Sequence, residues 1–91
     1  MIVIDEMEKT VLMYLESSLD SKPEGMRLSE MAESLGEPMK NLIAVCQKLN
    51  QRDMLCIDHT YMAEGQVTDL KLRILGLGID TLFENEKGDT Q

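Results

Sequence analysis

The stretch from Leu28 to Ile57, LSEMAESLGEPMKNLIAVCQKLNQRDMLCI, leaves few ways for the chain to fold. Met31, Ala32 and Leu35 recur at helical spacing. Ser29 is the expected N-cap, its hydroxyl accepting an orphan amide, and Glu30 lies near the positive end of the helix dipole. Gly36 ends this helix, because glycine takes a left-handed C-terminal position without steric cost. Pro38 opens the next one: at a first helical position its missing amide is no loss. Leu42, Val45, Cys46 and Leu49 then fall within about a 100 degree arc, the width of a core-facing stripe. The opposite arc carries Lys40, Ile43, Ala44, Gln47 and Gln51. Two short amphipathic helices joined by a tight turn are therefore expected.

After Arg52 and Asp53 the period changes to two. Leu55, Ile57, His59 and Tyr61 alternate with Cys56, Asp58, Thr60 and Met62, which predicts a strand with Cys56 and His59 on opposite faces. Glu64-Gly65-Gln66 is the turn, and Leu70, Leu72 and Ile74 alternate with Asp69, Lys71 and Arg73 on the returning strand. Gly76-Leu77-Gly78 opens a last helix carrying Ile79, Leu82 and Phe83. Residues 1–84 form one domain in this reading, and 85–91 a solvated tail, with fraying setting in from Glu84. Upstream, Met1 to Ile4 is a short edge strand or an apolar arm. Asp5 and Glu8 form a capping-box variant ahead of a first helix marked by Met7, Val11, Leu12, Leu15 and Leu19. Asp20 to Arg27 reads as a polar loop.

Ninety-one residues suffice for one small core. With no Trp, one Phe and eight Met, that core must be built from Leu, Ile, Val and Met. No apolar run approaches the ~18 residues of a membrane span, and no secretory leader is visible. Cys46 and Cys56 both lie in apolar contexts, which reads as a reduced, cytoplasmic protein with buried thiols.

Little in the chain points to catalysis, and no enzyme, cofactor or metal is expected. His59 is the one histidine, and the Cys56-x-x-His59 pair would need outside ligands to hold a metal. Neither cysteine has a basic neighbour to activate it. Gly76-Leu77-Gly78 lacks the lysine of a phosphate loop and the third glycine of a dinucleotide site. The carboxylates are scattered.

Charge is unevenly placed. The chain totals −8. Residues 1–37 carry three Lys or Arg against nine Asp or Glu, and residues 76–91 one lysine against four acids. Residues 38–75 carry Lys40, Lys48, Arg52, Lys71 and Arg73 against four acids, the one part that is not acidic.

The order helix, helix, turn, helix, two-stranded hairpin, helix, with LSEMAESLG followed by LIAVCQKLNQRDML and the exit ILGLGIDTLFEN, resembles the winged helix-turn-helix superfamily of small regulators. That resemblance implies a mainly α fold with a small β wing, of the α+β class. It would comprise a three-helix core, a two- or three-stranded antiparallel wing and a C-terminal helix. Asp53 stands where many members have glycine before the wing strand. The family places the outward stripe of its third helix in the DNA major groove, which nominates helix 38–51, with the wing, 55–75, on the backbone. The implied DNA-binding set is Lys40, Ile43, Ala44, Gln47, Lys48, Gln51, Arg52, Lys71 and Arg73. Gln47 or Gln51 suits an adenine edge, Ile43 and Ala44 suit thymine methyls, and the cations suit phosphate. The first and last helices of the family often build a two-fold interface, which nominates Ile2, Ile4, Leu82 and Phe83 for a homodimer. Two readings stay open: a transcriptional regulator of double-stranded DNA, and an acidic winged-helix module that binds no DNA and whose apolar stripe or Met-rich termini bind a protein partner.

Overall fold

Local chemistry sets most of the element boundaries. The computed structural model describes residues 2–89, in the order α1 (Glu6–Ser17), β1 (Met26–Arg27), α2 (Leu28–Leu35), α3 (Met39–Gln51), β2 (Leu55–Ala63), β3 (Gln66–Ile74) and α4 (Gly76–Asp89). The architecture is α+β: four helices with a three-stranded antiparallel sheet in the order β1-β3-β2 among the described residues. No described helix is long and apolar enough to cross a membrane.

The Asp5–Glu8 capping box forms in full. The Glu8 amide donates to Asp5 Oδ1 at 2.8 Å and the Asp5 amide to Glu8 Oε1 at 2.9 Å. Gly36 ends α2 in the left-handed conformation, φ 68°. Glu64 and Gly65, φ 53° and 78°, make the two-residue turn of the β2–β3 hairpin, and two positive φ values match the strand twist. Asp53 does the work of the absent glycine. At φ 59° it closes α3, with its amide on Asn50 O (3.1 Å) and the Met54 amide on Leu49 O (3.0 Å).

Beneath the sheet, Val11, Leu12, Leu15, Leu28, Met31, Leu42, Leu49, Met54, Leu55, Leu70, Leu72, Ile74 and Leu82 form one buried cluster. Leu42, Cys46 and Leu49 supply the inner face of α3, while Val45 is half-buried. Ile43, expected to point outward, is also half-buried and packs on the core. Its direction lies near the edge of the apolar arc, and neighbouring apolar side chains draw it in.

Several other expectations need correction. Ser29 is not the N-cap of α2. The cap is Arg27, which makes no side-chain capping bond; burial of Leu28 carries the helix start two residues further back. Pro38 is the N-cap of α3 rather than its first residue, its carbonyl accepting Asn41 N (3.1 Å) and Leu42 N (3.3 Å). The expected loop ends in a strand: Met26 and Arg27 pair with Leu72 and Lys71. Gly25, φ 101°, permits this, since a Cβ there would collide with the Leu72 carbonyl.

In β2 the register slips between Ile57 and His59, so Cys56 faces Arg73 and His59 faces Lys71. The extra residue, Asp58, puts Cys56 and His59 on the same face rather than opposite ones. Residues 2–4 form an arm, not a strand. Ile2 O accepts from Asn85 Nδ2 at 3.1 Å, tying the arm to α4. That helix runs past Glu84 to Asp89. Met1, the start of the nominated arm, and residues 90–91 of the nominated tail lie outside the described residues.

Candidate nucleic-acid interface

α3 is the one helix of the four that contains no acidic residue, in a chain whose net charge is −8. Its solvent arc presents Lys40, Ala44, Gln47, Lys48 and Gln51, all exposed. Asn41 joins them. The sequence reading passed over it, although its spacing of three and seven from Ala44 and Lys48 places it on the same face. Ile43 leaves the set by turning toward the core. The face is thus amide and ammonium around one methyl group, and Lys40 and Lys48 make no hydrogen bond or ion pair among the described residues.

The remaining nominated cations divide. Arg52, at the end of α3, turns back to the first helix: Nη1 donates to Glu8 Oε2 at 3.2 Å and Nη2 to Val3 O at 2.9 Å. It fastens the arm to the helix pair. Arg73 grips Asp58 with two bonds, Nε to Oδ2 at 3.0 Å and Nη2 to Oδ1 at 3.1 Å. This guanidinium holds the Asp58 carboxyl below the usual range, so the pair stays ionised and its charges cancel. Lys71 is half-buried on the outer face of the sheet, in register with Arg27 on one side and His59 on the other. Of the five cations between residues 38 and 75, Lys40, Lys48 and Lys71 have an ammonium outside any ion pair among the described residues, and Lys71 acts at longer range on Asp58.

One carboxylate departs from the pattern of its strand. Asp69 is buried, and its Oδ1 accepts the amides of Ser29 (3.0 Å) and Leu70 (2.8 Å), while Arg27 Nε donates to Oδ2 at 2.9 Å. Burial pushes its carboxyl up. The bonds from Ser29, Leu70 and Arg27 outweigh that and hold it below the usual range.

Neither thiol is activated. Burial pushes Cys46 up to about 12, and Cys56 is raised first by its hydrogen bond to Asp58. Among the described residues, no group of three or more His, Cys, Asp or Glu is arranged to hold a metal ion.

Of the residues nominated for an interface between copies, Leu82 is buried in the core, and Ile2 and Ile4 pack partly against it. Phe83 and Val3 are exposed, at 55% and 72%.

Compared with protein-family models, with curated proteins and with solved structures, the chain matches none.

Proposed function

We propose that the chain is a winged helix-turn-helix DNA-binding protein, a cytoplasmic transcriptional regulator that sets α3 in the major groove and rests the β2–β3 wing on the backbone. The observation that carries this is the solvent face of α3: Lys, Asn and Gln around one alanine, with no acid, on a protein otherwise strongly acidic. Amide side chains pair with adenine edges and ammonium groups with phosphate. The element order and the β1-β3-β2 sheet support the fold reading. Three cations outside any ion pair are few for a specific complex. The regulator is therefore read as a homodimer, which doubles them, with Phe83 and Val3 as the exposed apolar surface.

Binding to a pool of random duplex DNA at low and moderate salt tests this. The wild-type chain enriches a site, and the Lys40→Glu, Lys48→Glu double variant loses it. Lack of binding even at low salt overturns the reading. The internal neutralisation of Arg52 and Arg73 favours a second reading, an acidic module that binds another protein through the same face.

A further inference from the structure

We propose that the cleft between the α1–α2 loop and the outer face of the sheet binds a phosphate-type oxyanion. The cleft has a volume of about 390 Å³, lined by Lys22, Glu24, Arg27, Glu30, Tyr61 and Lys71 among others. That far exceeds the ~30 Å³ share of one water, so it admits an ion with its hydration or a small phosphorylated molecule.

The donor set is built rather than incidental. Arg27 lies over the Tyr61 ring, its guanidinium carbon 4.1 Å from the centroid, and Tyr61 is met edge-on by His59 at 4.4 Å. Nε of Arg27 is held by buried Asp69, itself fixed by the Ser29 and Leu70 amides. This locks the guanidinium plane and leaves the two terminal nitrogens to donate. A planar fork of this kind matches a phosphate or carboxylate.

Lys71 supplies the second charge. It faces Arg27 directly across the β1–β3 pair and makes no hydrogen bond or ion pair among the described residues. Asp69 already offsets the Arg27 charge, so Lys71 supplies the net positive charge of the cleft and Arg27 the directed N–H donors. Of the two carboxylates in the lining, Glu30 is paired with Lys22, and Glu24 is exposed on the loop. The α2 N-terminus is not the anion site, because the carboxylate of Asp69 already takes the Ser29 amide.

None of the α3 residues takes part, and Lys71 is the one cation shared with the proposed wing contact, so the site can hold while insertion of α3 in the groove fails. The oxyanion has two sources, a free phosphorylated small molecule or a backbone phosphate of the duplex. Titration of the full chain with inorganic phosphate, followed by amide NMR shifts against sodium chloride of equal ionic strength, tests the site. Saturable shifts are expected at Arg27, Tyr61 and Lys71, weakened roughly tenfold or more by Lys71→Gln and unaffected by Lys40→Gln. Lys71 makes no hydrogen bond or ion pair among the described residues and acts on Asp58 only at longer range, so that variant keeps the fold, which its undisturbed spectrum verifies. Competition by duplex DNA assigns the oxyanion to the backbone, and phosphate binding indifferent to duplex assigns it to a free ligand. Shifts that fail to saturate, that chloride reproduces, or that survive Lys71→Gln overturn the proposal.

Discussion

Asp69 Oδ1 accepts the backbone N–H of Ser29 at 3.0 Å, so a carboxylate on β3 caps a helix that lies forty residues away in the chain. The bond joins the sheet to the start of α2 and orients Arg27 on the way. Asp69→Ala removes an N-terminal cap from the Ser29 amide and leaves the buried Leu70 amide without its carboxylate partner. A loss of about 2 kcal/mol is expected in urea denaturation.

The same residue gives a pH dependence of known sign. The folded state holds Asp69 below the usual range, so it binds fewer protons there than the unfolded chain does. Its contribution is complete above the unfolded value of ~3.9 and is lost as pH falls through the lower folded value. In Asp69→Asn this component of the stability profile is absent, which denaturation midpoints at pH 6 and at about pH 3 will read.

The contrast between Asp5 and Asp69 shows what the sequence reveals and what it hides. Asp5 caps α1 through Glu8, three residues on, and Gly36 and the Glu64-Gly65 turn act within their own few residues, so each was legible. Asp69 looked like the polar side of an alternating strand, because its partners Arg27 and Ser29 are distant in sequence. β1 was hidden for the same reason: Met26 and Arg27 are extended through Leu72 and Lys71, with no signal of their own. Ser29 fits the cap chemistry, but burial of Leu28 moved the boundary. In the candidate interface, helical spacing placed Lys40, Ala44, Gln47 and Gln51 on the solvent side, where they are exposed, and Ile43 with them, which is half-buried. It did not show that Arg52 and Arg73 are bound by Glu8 and Asp58.

Asp53 occupies a left-handed position that glycine fills more easily. Asp53→Gly relieves that conformation, partly offset by the greater freedom of the unfolded chain, for a gain of up to about 1 kcal/mol. Asp53→Val goes the other way, because a branched side chain is a true outlier at positive φ. Thermal midpoints in the order Gly, Asp, Val check this.

Asp58 restrains two neighbours at once. Its hydrogen bond raises the Cys56 thiol, and its charge cancels Arg73. In Asp58→Asn, Cys56 is more readily ionised and is alkylated faster at pH 8, while buried Cys46 stays unreactive until unfolding. If the duplex is bound as proposed, the released Arg73 gains a phosphate contact, and the slope of log K against log salt steepens by about 0.9.

Leu82 and Phe83 are adjacent on α4 but belong to different surfaces, the first 4% and the second 55% exposed. Leu82→Ala opens a cavity in the core and is expected to cost about 2–5 kcal/mol at any protein concentration. Phe83→Asp removes no core contact, so the single chain keeps its stability. If α4 forms the homodimer interface, that substitution buries an unpaired charge between the copies and lowers the mass in solution from dimer to monomer. Light scattering across a concentration series separates the two effects. A dimer that survives Phe83→Asp moves the interface away from α4, and a wild-type monomer at high concentration withdraws the dimer and leaves the three cations of one chain to hold the duplex.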